Sequence, residues 1–230
     1  MESINIISRQ QKLLIVDLNL KGNLVIVVGG GNEGLKKVNS LLTQDCKIHV
    51  ISDSTNRQIE DYIKKRKITF KKMRLVNADF LKKYKPFMVL AATDDRNLNR
   101  KIVERAKKMR CYTYAADDPE VSDFAFGSVI NIQDTVQIAI STGGRSPAMA
   151  RKLKLQAEKV FKKLIKKEDI YQIKLQDFAR RQVKSKILTF PERKKFLYSV
   201  MNDNQIKQLI EEGNLKKAQK RVSEMLGGLK

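Results

Sequence analysis

Three glycines in the run VVGGGNEGLKK (27–37) have the spacing of a dinucleotide-binding loop. Gly29, Gly31 and Gly34 fit the pattern G-x-G-x-x-G, directly after an apolar run and at the opening of a helical pattern. In such a loop the first glycine allows a tight turn, the second lets the backbone approach a pyrophosphate, and the third lets helix and strand pack closely. The spacing therefore predicts a bound dinucleotide. The alternative is a glycine turn in a related domain that has lost its nucleotide.

An acidic residue follows at the distance expected for a ribose contact. Asp53 stands at the end of a second apolar run, 22 residues after Gly31. A carboxylate at this place hydrogen-bonds the ribose 2′-hydroxyl of NAD and repels the 2′-phosphate of NADP. Asp53 therefore favours NAD as the cofactor, although the nearby Arg57 could weaken this preference.

The elements that would position these residues alternate between strand and helix. Apolar runs predict strands at 24–28, 47–52, 87–93 and 111–116, with a shorter strand within 68–75. The spacing of apolar residues predicts helices over 35–44, from Ser54 or Thr55 to about Lys65, and over 95–108. This alternation predicts a Rossmann-like parallel sheet covered by helices.

The pattern changes after residue 117. The runs FAFGSVINI (124–132) and TVQIAIST (135–142) predict a hairpin or a pair of extended strands outside the first sheet. From Ser146 onwards the spacing predicts helices at 147–166, about 168–186, 191–201 and shorter ones to 227. We therefore predict an α/β fold in three parts: an NAD-binding Rossmann domain (1–117), a small β region (118–146) and a basic helical domain (147–230).

The net charge of +22 is the unusual feature of the composition. Residues 151–230 contain 22 basic and 9 acidic residues, a net of +13. Such a region favours an anionic small molecule, a nucleic acid or an anionic membrane surface, unless the lysines only solvate the helices. With no Trp, few aromatic residues and no recognisable nucleic-acid module, we predict no nucleic-acid partner.

Three further features predict a cytoplasmic protein without a resident metal. No apolar run approaches the roughly 20 residues that cross a bilayer, so we predict no membrane partner. The N-terminal run MESINIISRQQKLL has no basic segment followed by an apolar core, so we expect no signal peptide. The two cysteines, Cys46 and Cys111, lie far apart, and the chain has no His/Cys cluster with metal-ligand spacing.

Five motifs spread over residues 13–200 occur together in one known family. They are LNLKGNLVIVVGGG (18–31), AATDDRNLN (91–99), YAADDPEVSDFAFGSV (114–129), QIAISTGGRSPAMARKLKLQAE (137–158) and PERKKF (191–196). Together they resemble the precorrin-2 dehydrogenases, which include the dehydrogenase and ferrochelatase module of siroheme synthases. The resemblance implies oxidation of precorrin-2 to sirohydrochlorin with NAD and a homodimer joined through the β region. In some members it also implies insertion of ferrous iron, which is then a substrate.

The resemblance also assigns roles to individual residues. Asp117, at the end of the fifth predicted strand, matches the family's catalytic acid, and Thr142 stands where the family often has serine; we predict both as catalytic. The alternative for Asp117 is a turn or cap, the role we expect of Asp118 before Pro119. The predicted cofactor-binding residues are Gly29, Gly30, Gly31, Asn32, Glu33, Gly34, Asp53, Ser54 and Thr93. The predicted substrate-binding residues are Ser141, Gly143, Gly144, Arg145 and Ser146.

Two segments leave alternatives open. The run STGGRSP (141–147) offers N–H groups, hydroxyls and a guanidinium for a carboxylate, but Ser146 with Pro147 also fits an ordinary capped helix start. In the glycine loop, Glu33, Gly34 and Lys36 depart from the family's Val, Ala and Arg. Glu33 places a carboxylate near the expected phosphates, which weakens binding unless its side chain turns to solvent.

The sequence thus favours an NAD-dependent precorrin-2 dehydrogenase, with ferrochelatase activity left open. The resemblance implies a substrate with eight carboxylates, and the net charge of +22 suits such a polyanion. The main alternative is an NAD-sensing regulatory module, which would need no catalytic acid. A related tetrapyrrole as substrate is a second alternative.

Overall fold

The computed structural model describes residues 14–228, and the first part of these forms a five-stranded sheet. Its strands are β1 (Leu24–Val28), β2 (Lys47–Ser52), β3 (Thr69–Lys72), β4 (Met88–Ala91) and β5 (Tyr112–Ala115). All neighbours pair in parallel, in the order β3-β2-β1-β4-β5. The order of the strands therefore reverses between β1 and β4, the kind of place at which doubly wound sheets bind ligands.

Helices cover both faces of this sheet. They are α1 (Asn32–Leu41), α2 (Arg57–Lys64) and α3 (Arg96–Lys108). In β1, Val25 and Val27 pack with residues of α1 and α2, whereas Ile26 and Val28 pack with residues of α3. A strand buried on both sides needs apolar residues at every position, which explains the continuous run at 24–28. Two short 3₁₀ helices, Asp79–Lys83 and Pro119–Val121, were not predicted.

The start of α2 differs from the prediction. The helix begins at Arg57, and its cap is Asn56, whose side chain accepts a hydrogen bond from the Ile59 N–H at 2.9 Å. The predicted caps, Ser54 and Thr55, lie in the connection before it. The Asn56 N–H donates to the carbonyl of Gly30 at 3.0 Å, so contact with the glycine loop holds this connection out of the helix.

The remaining described residues form a hairpin and five helices. The hairpin pairs β6 (Ser128–Ile132) with β7 (Val136–Ile140) in antiparallel register. The helices are α4 (Pro147–Leu164), α5 (Lys167–Val183), α6 (Phe190–Asn202), α7 (Asn204–Glu211) and α8 (Leu215–Gly227). One face of α4, including Ala157 and Phe161, packs on the hairpin, and helices α5 to α8 enclose a separate apolar core. The predicted fold class, a Rossmann-like sheet followed by a small β segment and helices, is confirmed.

Contacts between residues divide the chain into two compact units, with the boundary between Phe126 and Gly127. The hairpin belongs to the same unit as the helices that follow it. The finer division into three parts, with boundaries at 117 and 146, stays a prediction.

Within residues 14–228, no helix combines the length and the apolar character needed to span a bilayer. The expectation that the chain has no signal peptide concerns its N-terminal run, and residues 1–13 lie outside the described part of the chain.

Close packing of α1 against the end of β1 depends on Gly34. A Cβ atom at Gly34 would overlap the carbonyl oxygen of Gly29, which is backbone and cannot move aside as a side chain could. By contrast, a Cβ atom at Gly31 would have no heavy atom within 4 Å. The third glycine of the motif thus has the packing role that its spacing predicts.

The substitution Gly34→Ala should destabilise the protein by about 1–3 kcal/mol or more, because the added methyl overpacks a rigid contact. This loss should appear although alanine favours helix formation over glycine by about 1 kcal/mol. The midpoint of urea unfolding measures it. The matched control is Gly31→Ala, which should cost less than about 1 kcal/mol at an N-cap position. Equal stability of the two variants would contradict this packing role.

Candidate active site

The first two glycines of the loop are held against the ends of neighbouring strands. Gly29 has φ +112°, and a Cβ atom there would overlap the carbonyl oxygen of Ala92 after β4. Its N–H donates to the carbonyl of Ile51 in β2 at 2.9 Å. The Gly30 N–H donates to Ser52 Oγ at 3.0 Å, and a Cβ atom at Gly30 would overlap the carbonyl of Ser54. The loop therefore lies tightly between the ends of β2 and β4.

The start of α1 is open, in contrast to the crowded turn before it. Gly31 is the N-cap of α1, and no side chain caps this helix end. The space around the Gly31 Cα atom is also free of neighbouring atoms. Unpaired N–H groups and the positive end of the helix dipole attract a phosphate, and the absence of a Cβ atom lets it approach the backbone. These residues fit the pyrophosphate of a dinucleotide.

Glu33 does not present an unpaired carboxylate to this opening. Its side chain is about half exposed and forms an ion pair with Lys36, one turn further along α1. Lys36 is the residue that stands where the resembling family has arginine. The lysine offsets the negative charge that the sequence placed near the phosphates, so the two departures from the family pattern compensate each other.

Asp53 and Ser54 follow β2, beside the glycine loop. Both side chains are exposed, and the Ser54 hydroxyl donates to Asp53 Oδ1 at 3.1 Å. The Ser54 carbonyl lies against Gly30, which fixes the distance between this acid and the loop. The carboxylate is therefore placed at the sheet edge where a ribose hydroxyl of the cofactor would bind.

Asp117 follows β5 at the same edge of the sheet. Its carboxylate accepts a hydrogen bond from Asn99 Nδ2 at 2.7 Å on Oδ1, and Arg96 Nε lies 3.4 Å from Oδ2. About a quarter of the side chain is exposed. The cap of the short helix Pro119–Val121 is Asp118, which accepts from the Glu120 N–H at 3.1 Å, as predicted for a turn residue. The Asp117 side chain is not used as that cap.

A concavity of about 300 Å³ surrounds the Asp117 carboxylate, and its lining includes the basic residues Arg96 and Arg100. Arg100 also approaches Asp118, with 3.3 Å between Nη2 and Oδ2. A partly buried carboxylate beside two arginines is accessible to a ligand, and the guanidinium groups can attract carboxylates of that ligand.

Sequence reasoning missed Arg96, Arg100 and Asn99 in this network, and of these three only Asn99 is buried. Its amide is buried and joins Thr93, after β4, to Asp117, after β5. A signal was available, because Asn99 lies on the inward face of α3 together with Ile102, Val103 and Ala106. A polar residue within an apolar helical stripe indicates a buried hydrogen-bond partner.

The segment 141–146 belongs to the second unit and forms a tight turn before α4. Ser146 caps α4 by accepting from the Met149 N–H at 3.2 Å, and Pro147 takes the first helical position. Thr142 Oγ1 accepts from the Ser146 N–H at 3.1 Å. Both hydroxyls thus help to build the turn, which agrees with the capped-helix alternative for Ser146.

The same turn presents polar groups to an open concavity of about 440 Å³, lined by Ser141, Thr142, Gly143, Arg145 and Ser146. Gly143 and Gly144 adopt positive φ values of 61° and 78°, which glycine adopts without strain. The Arg145 side chain is exposed. The turn is therefore shaped to accept an anionic group, and its role in substrate binding stays a prediction.

The structure thus groups the predicted residues in two places. The nine predicted cofactor-binding residues and Asp117 lie in the first unit, at or near the carboxyl ends of β1, β2, β4 and β5. Thr142 and the predicted substrate-binding residues lie in the second unit.

Among residues 14–228, no group of three His, Cys, Asp or Glu side chains is arranged to hold a metal ion. His49, the only histidine, lies within β2. Its Nδ1 is 2.7 Å from the Thr69 hydroxyl, and its Nε2 is 3.2 Å from the Tyr84 hydroxyl. Burial, with a smaller contribution from Lys71, lowers the pKa of His49. Both ring nitrogens are used within the fold.

Two family models match this chain. A family described as "Putative NAD(P)-binding" matches residues 16–128, and a family described as "Sirohaem biosynthesis protein central" matches residues 133–156. The first match covers the sheet with the glycine loop. The second covers β7, the turn at 141–146 and the start of α4. The NAD(P)-binding match agrees with the predicted cofactor, NAD.

Similar curated proteins are siroheme synthases. The chain is 32% identical over 145 residues to the siroheme synthase of Nitrosococcus oceani, a match that covers 63% of this chain and 30% of that protein. It is 29% identical over 213 residues to the siroheme synthase of Blochmanniella floridana, covering 92% of this chain and 44% of that protein. The chain therefore spans less than half the length of these relatives.

A solved structure described as "SirC, precorrin-2 dehydrogenase" has the same fold. The TM-score is 0.65 at 17% sequence identity, and the match covers 92% of this chain and 100% of that one. At this identity the likeness concerns the fold. It extends over both units of the chain.

The substitution Gly31→Ala should weaken NAD binding about tenfold or more without unfolding the protein. The methyl group would project into space that is open in the fold but needed for the pyrophosphate. Isothermal titration calorimetry with NAD measures the change in affinity. The matched control is Gly227→Ala, which is equally free of neighbouring atoms but lies at the end of α8. Unchanged affinity in Gly31→Ala would mean that the pyrophosphate does not bind at this loop.

Proposed function

We propose that the chain, which is similar in sequence to siroheme synthases and matches the family described as "Sirohaem biosynthesis protein central", oxidises precorrin-2 to sirohydrochlorin with NAD. One observation in particular supports this proposal. The glycine loop and the Asp117 carboxylate lie at the same edge of one sheet, on the two sides of the switch point between β1 and β4. A hydride acceptor bound at the loop and an acid after β5 can therefore serve one substrate.

The residues of the first unit divide the binding of the cofactor between them. The open start of α1 would bind the pyrophosphate, and Asp53 would bind the ribose on the β2 side. This leaves the β4 side, with Thr93, for the other half of the dinucleotide. NAD, when bound there, supplies the hydride acceptor.

Asp117 supplies the group that a dehydrogenation needs besides a hydride acceptor. Oxidation of precorrin-2 removes a hydride and a proton, and the Asp117 carboxylate would accept the proton. Its Oδ1 is already bound to Asn99, so Oδ2 is the oxygen that is available to the substrate. Arg96 and Arg100 beside it would attract carboxylates of the tetrapyrrole.

The second unit would contribute to holding the substrate. Precorrin-2 carries eight carboxylates, and the turn at 141–146 offers an exposed Arg145 together with backbone N–H groups and the Thr142 hydroxyl. We assign substrate binding to Ser141, Gly143, Gly144, Arg145 and Ser146, and a supporting catalytic role to Thr142. The net charge of +22 would steer a polyanion towards the protein. The reaction would take place in the cytoplasm.

Purified protein with precorrin-2 and NAD should form sirohydrochlorin and NADH, both followed by absorbance. Asp117→Ala should lower kcat by about 100-fold or more while NAD affinity stays unchanged, since a general base contributes about 10²–10⁴ to rate. The matched control is Asp61→Ala, at an exposed position on α2. NAD binding without any oxidation would favour the sensor alternative, and full turnover by Asp117→Ala would contradict the catalytic role.

Adding ferrous iron tests chelation separately, because faster formation of siroheme than in buffer would indicate ferrochelatase activity.

We also propose that the protein is a homodimer, on the basis of one face of α4. Met149, Leu153, Val160 and Leu164 follow a helical spacing, and each is between 42% and 64% exposed. The adjoining face of the same helix packs on the hairpin through Ala157 and Phe161. An apolar stripe of this length is typical of a surface that a second protein surface covers.

The double substitution Leu153→Asp/Val160→Asp should convert the dimer to a monomer, because each charge would be buried at the interface. Light scattering during size-exclusion chromatography measures the molar mass of the eluting protein. The control is Lys152→Glu/Lys159→Glu, which alters charge on exposed positions of the same helix. A wild-type protein that elutes as a monomer would refute the proposed dimer.

A further inference from the structure

We propose that Asn99 is a positioning residue that fixes the Asp117 carboxylate relative to the loop after β4, where the cofactor is expected. This inference rests on the proposed dehydrogenase function. It concerns a residue on α3 that would touch neither the cofactor nor the substrate, and it would act through Asp117 and Thr93.

The Asn99 amide is almost completely buried and fully hydrogen-bonded. Only 1% of the residue is exposed. Its Nδ2 donates to the Thr93 carbonyl at 2.9 Å and to Asp117 Oδ1 at 2.7 Å. Its Oδ1 accepts from the Thr93 N–H at 3.1 Å and from the Thr93 hydroxyl at 2.7 Å. Both N–H groups and both oxygen lone pairs of the amide therefore have partners.

The orientation of this amide is determined by the backbone. The Thr93 N–H can only donate and the Thr93 carbonyl can only accept, so oxygen must face the first and nitrogen the second. The remaining hydrogen of Nδ2 then points at Asp117. Asn99 therefore presents a donor to Asp117 by necessity, and it cannot rotate without breaking two bonds to the chain.

This arrangement restricts how Asp117 can act. With Oδ1 held by Asn99, rotation of the carboxylate about its last bond would break a 2.7 Å hydrogen bond. Oδ2 stays on the side of the two arginines and accepts the proton. The same amide fixes the loop that contains Thr93, so the acid and the cofactor side of the site share one anchor. If Asp117 were paired only with the exposed Arg96, whose Nε lies 3.4 Å from Oδ2, the carboxylate would be freer to move.

Asn99→Asp tests this role because it keeps the shape of the side chain and replaces the donor Nδ2 by oxygen. Two facing carboxylates resist being ionised together, so the acidic limb of kcat/KM should move upwards by about one pH unit or more. The kcat should fall at least about tenfold, and affinity for NAD should fall less than this, since the open start of α1 is untouched and only the loop at Thr93 loses a hydrogen bond from the amide. The matched control is Lys101→Gln, which changes the net charge by the same amount at an exposed position of α3 that does not line the concavity around Asp117.

Asn99→Ala provides a second test that does not depend on an added charge. Its kcat should fall at least about tenfold relative to the wild-type protein. In the double variant Asn99→Ala/Asp117→Ala, the residual rate should differ by less than about twofold from that of Asp117→Ala. A residue needed only for folding would lower the rate in both backgrounds. Thermal unfolding of each variant shows whether it is folded.

Four results would overturn the proposal. If the wild-type protein is active and Asn99→Asp has the same pH profile of kcat/KM, the positioning role alone is refuted. An equal shift in Lys101→Gln would show that the change in net charge, and not a carboxylate that faces Asp117, causes the effect. Losses that simply multiply in the double variant would show that Asn99 does not act through Asp117. Wild-type protein that binds NAD but does not oxidise precorrin-2 would refute the proposed function, and this inference with it.

Discussion

The site depends on the absence of Cβ atoms at three glycines. Gly34 lies against the Gly29 carbonyl, and Gly29 and Gly30 lie against carbonyls that follow β4 and β2. Helix α1 can therefore begin directly at the end of β1, with its first N–H groups open beside Gly31. Because the loop contacts both neighbouring strand ends, it also sets the distance between Asp53 on one side and Thr93 on the other. A phosphate site at this edge of the sheet follows from backbone packing.

Two buried polar residues connect α1 and the loop after β4 to β5 and its carboxyl end. Lys37, on α1, is nearly buried, and its Nζ donates to the Tyr114 hydroxyl at 3.0 Å. The ammonium group also lies 4.2 Å from the ring centroids of Tyr114 and Phe126, which partly replaces the water it has lost. On the other face, Asn99 joins the loop after β4 to Asp117. Helix α1 and Asp117 are thus tied to the same strand, although they are far apart in sequence.

The sequence predicts the framework well because local rules determine it. Continuous apolar runs identified the parallel strands, glycine spacing identified the loop, and Ser146 with Pro147 identified the start of α4. The cap of α2 was wrong because Ser54, Thr55 and Asn56 are all good caps, and only contact with Gly30 selects the last. The apolar stripe of α3 indicates that Asn99 is buried, but its partner is a carboxylate 18 positions away, which no local pattern identifies. The compensation of Glu33 by Lys36 likewise appeared only with the side chains in place.

The central claim is that NAD binds across the glycine loop with Asp117 on its far side, and a crystal structure of the protein with NAD tests it most directly. Pyrophosphate oxygens should lie within hydrogen-bonding distance of the N–H groups of Asn32 and Glu33. A ribose hydroxyl should lie on the Asp53 carboxylate, and the other half of the dinucleotide should lie beside Thr93. NAD bound away from the glycine loop, or a loop left empty at saturating NAD, would contradict the account.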